Sequence, residues 1–347
     1  MYKSFFSLKV KPFELLPNPD FLFLGRSHKK ALTHLEHAIR GRSGFILLTG
    51  DIGSGKTTVI RFLFKRLQPE VVLSRIVNTK VNFEQLLVLI NEDFGLSGEG
   101  KDKVTLLREL NEFLVSIHAK GEMAMLVIDE AQNLTPDVLE ELRLLSNLET
   151  DNAKLLHIVL AGQPELRETL AMPHLLQLRQ RICCFCHILP LEKDEIEPYI
   201  FHRLERAGNK NAADFSPEAI DLVWRYSRGI PRLINTICDF IFLLAFAENT
   251  RSMTAELASA VITDLDFENC YWGAAVPPVP TATFTGTSVA EALPVLPNSA
   301  DESIKVLLTE ILSRVGQLEN RETNSGVDVE HVVTSRLENI ENCLATF

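Results

Sequence analysis

Residues 1–190 are predicted to form an α/β domain with a parallel sheet covered by helices on both faces, followed by a small all-α domain over 191–270 and a helical tail. Three observations predict it. Short, continuously apolar runs recur at 45–49, 124–129, 155–161 and 182–189, which is how strands buried on both faces read. Segments with apolar residues at helical spacing lie between them. After Pro190 the strand-like runs stop and only helical patterns follow, so the helices gather into a separate layer.

Taken in order, residues 1–24 are rich in Phe and Pro (KPFELLPNPDFLFL). The prolines prevent a long helix, and the aromatics suit a segment laid across the body. His28–Arg40 places Ala31, Leu32, Leu35, Ala38 and Ile39 on one helical face. FILLT (45–49) is a strand with a glycine turn after it, 57–67 a helix, and VVLSRIV (71–77) a strand. Residues 83–94 and 106–119 are helical by spacing, AMLVID (124–129) is a buried strand, and 136–148 a helix with Pro136 in its first turn. LLHIVLA (155–161) and ICCFCHIL (182–189) complete the strands, both expected to be buried. Helices follow at 195–207, 217–225, 231–248 and 255–265. Residues 271–300 form a Pro/Ala/Thr-rich linker with little to build a core from. Over 301–347, Ile304, Leu308, Ile311, Val315 and Leu318, then Val333, Leu337, Ile340 and Leu344, repeat at spacings of four and three. An amphipathic helical tail for oligomerisation or docking and a helix folded back on the body are both open on this pattern.

The formal net charge is −11, which argues against a chain that coats nucleic acid non-specifically. Residues 1–75 nevertheless hold 13 Lys/Arg against 5 Asp/Glu. Nucleotide phosphates and solvated surface account for this better than a nucleic-acid patch. The six cysteines show no disulfide framework, and a reducing compartment is expected. Cys183, Cys184 and Cys186 crowd one strand, with Cys184 and Cys186 on one face and Cys183 on the other. Structural thiols are favoured over a metal site, since His187 is the sole further ligand candidate nearby. The opening residues do not read as a signal peptide. The most apolar stretch, Leu233–Ala247, contains Asp239 and is shorter than the ~20 residues a membrane span needs. No transmembrane segment is expected, and the cytoplasm is the expected location.

Five motifs carry chemistry. GDIGSGKT, Gly50–Thr57, matches G-x-x-x-x-G-K-[ST] between a strand and a helix. Gly50, Asp51, Ile52, Gly53, Ser54, Gly55, Lys56, Thr57 and the following Thr58 would wrap backbone N–H groups around phosphates. Glycines there permit angles that side chains would block, and the next helix points its N-terminus at the anion. Lys56 would reach the β- and γ-phosphates of ATP and Thr57 would ligate Mg²⁺. In MLVIDEAQ (125–132) an apolar strand ends in two acids. Asp129 would hold Mg²⁺ through water, and Glu130 would orient and polarise the attacking water; the plainer reading is an Asp capping the next helix. In VLAGQPEL (159–166), Gln163 would contact the γ-phosphate or the water, or else satisfy a turn. In LRQRI (178–182), Arg181, with Arg179 in reserve, would act on a neighbouring subunit's nucleotide; a surface salt bridge is the alternative. In RGIPRLIN (228–235), Gly229 and Pro231 turn the chain into a helix and put Arg232 in its first turn, where it would touch the nucleotide.

With these motifs in order, the chain resembles the ExeA/GspA-like AAA+ ATPases of secretion and pilus biogenesis. The opening MYKSFFSLKVKPFELLPNPDFLFLGRSHKKALTHL looks like that family's N-terminal signature, and GDIGSGKTT, VIDEAQ, GQPELRETL, LRQRI and GIPRLIN match its later blocks. The resemblance covers about residues 1–270. It implies a P-loop AAA+ core with a helical lid, an ATPase that works as a homo-oligomer, and a protein partner in an envelope, secretion or export complex. It also implies peripheral placement at the inner membrane through that partner. Secretion members of the family carry a transmembrane helix and a peptidoglycan-binding part after the ATPase, whereas the linker and tail follow here. The core also looks like the TniB-type transposition ATPases and, more distantly, the origin-recognition initiators, which bind DNA; a DNA-bound regulator is the alternative reading.

Overall fold

The computed structural model of the chain describes residues 2–67, 71–150 and 153–272. Residues up to Thr263 form one compact unit, and Asp264 begins a second, described as far as Trp272. The expected tail at 301–347 lies outside the described residues, as does the expected linker beyond Trp272.

The first unit opens with a one-turn helix, α1 (Tyr2–Phe5), and the proline-interrupted segment that follows. Helix α2 (Arg26–Arg40) starts two residues earlier than its apolar spacing indicates, with Gly25 as its N-cap. The chain then alternates through β1 (Phe45–Gly50), α3 (Lys56–Leu67), β2 (Val71–Ile76), α4 (Phe83–Asp93), α5 (Lys103–Ala119), β3 (Met123–Ile128), α6 (Pro136–Leu145), β4 (Leu156–Gly162), α7 (Glu165–Ala171), α8 (Leu176–Arg181) and β5 (Ile182–Ile188). Local chemistry sets the helix starts. Asn82 and Gln85 form a reciprocal capping box at α4, Asp102 caps α5, and Thr135 caps α6 ahead of Pro136. The short helices α7 and α8 escape sequence reading because neither is long enough to show a period.

All five strands are parallel, in the order β2-β3-β4-β1-β5. Both faces are covered, as expected. Phe45, Leu47, Leu126, Ile128, Ile158 and Leu160 point into a core built with α4, α5 and α6. Their neighbours Ile46, Leu48, Met125, Val127, Val159 and Ala161 point the other way, against α2 and α3. This alternation is why the strands read as unbroken apolar runs.

The expectation of a buried last strand is corrected. β5 lies at the sheet edge and pairs with β1 only. Its Cys184 and Cys186 face α2, where their sulfurs lie 3.8 Å from the His34 and Ala31 carbonyls. Cys183 and Phe185 point to the other side and are exposed. The expected facing of the three cysteines holds, but only Cys186 of them is fully buried. Among the described residues no group of His, Cys, Asp and Glu could hold a metal by itself.

Beyond β5 come α9 (Lys193–Arg206), β6 (Asp214–Phe215), α10 (Pro217–Ser227), α11 (Pro231–Ala247), β7 (Ser252–Met253) and α12 (Ala255–Asp264). The expectation that strands stop at Pro190 is therefore corrected by a small one: β6 and β7 pair in parallel over two residues each, too short to leave a periodic signal. The N-terminal segment lies across this helical part. Tyr2, Phe6 and Phe13 gather round Phe242 of α11 with ring centroids 5.7, 4.6 and 5.4 Å away. The Tyr2 hydroxyl donates to Asp239, which explains the charge inside an otherwise apolar helix. Among the described residues no helix is long and apolar enough to cross a membrane.

Candidate functional site

The strand order brings the motifs together. β4 lies between β3 and β1, so the loops leaving the C-terminal ends of these three strands are neighbours. They carry Asp129 and Glu130, Gln163, and the Gly50–Thr57 loop. Open parallel sheets bind ligands at such carboxyl ends.

The loop wraps round its own lysine. The Lys56 ammonium, buried on one turn of α3, donates to the Gly50 and Asp51 carbonyls at 2.8 and 3.1 Å. Burial pushes its pKa down, while Glu130, Asp129 and Asp51 pull it up. Gly53 and Gly55 have φ of +78° and +97°, the left-handed region that glycine reaches without strain. A β-carbon on Gly53 would lie 2.5 Å from Cβ of Arg232. The P-loop and the first turn of α11 are therefore in direct contact, and the Arg232 N–H donates to the Gly53 carbonyl at 3.2 Å.

Thr57 and Asp129 converge, with the threonine hydroxyl donating to Oδ2 at 2.8 Å. Asp129 is buried. Glu130 sits in the left-handed region, with φ 53° and ψ 39°, a conformation that non-glycine residues keep where the surroundings enforce it. Its carboxylate accepts from the Gln132 amide at 2.6 Å and the Gln163 amide at 3.4 Å. Gln132 also accepts from the Gln163 N–H at 3.1 Å, and the Thr79 hydroxyl donates to the Glu130 carbonyl at 3.0 Å. Glu130 is thus held by two amides beside the phosphate loop.

Arg181 and Arg179 are not among the residues lining this cleft. One Arg181 nitrogen donates to the Arg143 carbonyl, Ser146 Oγ and Asn147 Oδ1 at 3.0, 3.0 and 2.5 Å, where α6 ends. Arg179 donates to the Ala171 carbonyl at 3.2 Å.

The cleft is about 630 Å³ and extends from the loop to the N-terminal segment, within the range of small-molecule sites. Leu16, Phe21, Leu22 and Phe23 wall it, with Tyr199 and Asn235 from the helical part. Arg203 of α9 ties that wall down by donating to the Pro12 and Glu14 carbonyls at 2.5 and 3.2 Å. It also donates to the Tyr199 hydroxyl, which itself donates to Asn235.

Sequence reading missed several of these groups. His28 in the first turn of α2 is buried, and its Nε2 lies 2.9 Å from the Ser54 carbonyl, steadying the phosphate loop. Burial pushes its pKa down. The Arg75 guanidinium of β2 lies 2.9 Å from Asp129 Oδ2. A lone arginine in an apolar strand was the available signal for it; nothing local marks His28, Arg203 or Thr79.

The residues fit a phosphate chain and a divalent ion. A glycine cradle opens onto a helix N-terminus with a lysine inside it, and a threonine hydroxyl and a buried carboxylate meet at one point. Comparison with known proteins gives the family. Residues 39–170 match the AAA domain family. The chain is 42% identical over 254 residues to general secretion pathway protein A of Aeromonas hydrophila, covering 73% of this chain and 46% of that protein; it thus spans about half the length of the relative. Among solved structures, the ORC2 protein of Aeropyrum pernix superposes with a TM-score of 0.55 at 15% identity over 72% of each chain. Cdc6p of Pyrobaculum aerophilum gives 0.54 at 18% identity over 72% of this chain and 68% of that one.

Proposed function

Because this chain is an AAA+ P-loop protein related to general secretion pathway protein A, we propose that it binds and hydrolyses ATP with Mg²⁺. We propose further that it acts as a homo-oligomer assembling or remodelling a protein partner in a secretion or envelope-export complex. The observation that carries the hydrolytic reading is the Glu130 carboxylate, held by Gln132 and Gln163 at the mouth of the Gly50–Thr57 loop. The similarity to a secretion-pathway protein supports the choice of partner. On this reading the protein sits in the cytoplasm, peripheral to the inner membrane through that partner.

The loop from Gly50 to Thr58 binds the phosphates through backbone N–H groups and Lys56. Thr57 and Asp129, whose side chains meet, would hold a divalent ion, which would supply neutralisation of phosphate charge. Glu130 takes the proton of the attacking water and Gln163 orients it. Arg232 places the helical lid against the nucleotide. An arginine from the next copy, Arg181 or Arg179, completes the site. Arg179 is the less committed of the two, since Arg181 already binds three acceptors in its own chain.

The test is steady-state ATP hydrolysis by the full chain, with and without double-stranded DNA. Glu130→Gln should retain nucleotide binding and lose turnover by about a hundredfold or more. Lys56→Ala should lose binding. DNA should leave the rate unchanged, and light scattering on Glu130→Gln with ATP should show an oligomer. Turnover that survives in Glu130→Gln would refute the site, and stimulation by DNA would transfer the partner from protein to nucleic acid.

A further inference from the structure

Asp129 has one more partner than the divalent-ion reading needs. Its side chain is 3% exposed, and Oδ2 accepts both from the Thr57 hydroxyl at 2.8 Å and from Nη2 of Arg75 at 2.9 Å. Oδ1 accepts from the Glu130 N–H at 3.2 Å. The pairing follows from the sheet. Arg75 on β2 is in register with Val127 on β3, and Asp129 lies two residues on, so both side chains point to the face that α3 covers.

The backbone N–H of Arg75 donates to Asp93 at the end of α4, while its Nε is buried without a partner among the described residues. The guanidinium bonds to Asp129, so it and the divalent ion address the same carboxylate oxygen. Hydrogen bonds from Arg75 and Thr57 both use Oδ2, and a cation so close repels a second one in surroundings of reduced dielectric.

We propose that Arg75 is a positioning residue that competes with the divalent ion for Asp129 and so sets the Mg²⁺ concentration at which nucleotide binding becomes metal-dependent. This rests on the Mg·ATP reading of the site. Arg75 serves as the counter-ion of Asp129 when no metal is bound, and gives up Oδ2 when the metal binds. The cost of releasing it appears as weakened metal affinity. Arg75 acts through Asp129 and is not itself placed on the phosphates.

The experiment titrates Mg²⁺ into the full chain with a fluorescent, non-hydrolysable ATP analogue and reads binding rather than turnover. Arg75→Met keeps length and removes charge, so the Mg²⁺ half-saturation point should fall by about tenfold, with the affinity in excess Mg²⁺ nearly unchanged. Arg75→Lys keeps a charge there and should stay near wild type. Arg75→Gln serves in place of Arg75→Met should the latter not fold, with the same expected fall. Without metal, thermal unfolding should show the neutral variants destabilised, with stability recovered when Mg²⁺ and the analogue are added. A half-saturation point that is unchanged or raised in the neutral variants would overturn the proposal while leaving the nucleotide site intact. Failure of the wild type to show any Mg²⁺-dependent binding would bring down the site reading, and this inference with it.

Discussion

Replacing Gly53 by alanine tests the contact between the phosphate loop and the helical lid. Two costs are readable from the structure. The first is conformational: Gly53 has φ of +78°, and an L-residue held there costs about 1–2 kcal/mol. The second is steric. The new methyl would meet Cβ of Arg232 at 2.5 Å, Cδ at 3.2 Å and Cγ2 of Ile230 at 3.3 Å. The N-cap and first turn of a 17-residue helix cannot yield as a flexible side-chain tip would, so α11 must withdraw. Withdrawal lengthens the Arg232 N–H bond to the Gly53 carbonyl, worth about 1 kcal/mol, and the overpacking adds about 1 kcal/mol or more. The sum is about 3–4 kcal/mol. Gly121 supplies the control: its φ is +80°, yet nothing lies within 4 Å of its would-be β-carbon, so Gly121→Ala carries the conformational cost alone. At about 2 °C per kcal/mol for a unit of this size, thermal unfolding should fall by about 6–8 °C for Gly53→Ala and about 2–4 °C for Gly121→Ala. Affinity for a fluorescent ATP analogue should fall only in the first, since only there are the Gly50–Thr57 loop and its contact with α11 disturbed. Equal unfolding shifts and unchanged affinity in both variants would refute the packing of Arg232 on the loop.

Two further outcomes follow from the same geometry. Burial depresses the pKa of His28 and His157 below the ordinary 6.5, so the unfolded chain binds their protons first. Stability is then flat above pH 6.5 and falls as pH drops below 6.5, by up to about 1.4 kcal/mol per pH unit for each histidine. Denaturant unfolding should show a shallower fall in His157→Gln, and an equal slope would sink the assignment. Arg203→Met leaves the Pro12 and Glu14 carbonyls without their charged donor; it should cost about 2–3 kcal/mol and open residues 12–24 to protease. A cleavage pattern like that of the wild type would show that the N-terminal wall is held by its aromatics instead.

The positions of the Gly50–Thr57 loop, the acidic pair, Gln163 and Arg232 were legible because each sits at the end of a strand or the start of a helix. There a short run of residues fixes both chemistry and direction. Gly50–Thr57 needs only its own glycines and the helix behind it. Arg232 follows from Gly229 and Pro231, which turn the chain and start α11. Arg181 was legible as a charge but not as a contact. Its partners lie at the end of α6, beyond β4, α7 and most of α8 in the sequence, and no local pattern joins them.

The sequence by itself determined the α/β class, the central strands buried on both faces and the glycine loop between β1 and α3, because apolar periodicity and glycine torsions act over a few residues. Only the tertiary structure decided that β4 runs between β1 and β3, that β5 is an edge with one exposed face, and that Arg75 meets Asp129 and His28 meets Ser54. Strand order depends on which buried faces pack best once the whole sheet assembles. Each of these pairings is a contact between residues at least 26 positions apart, whose partner no local pattern names.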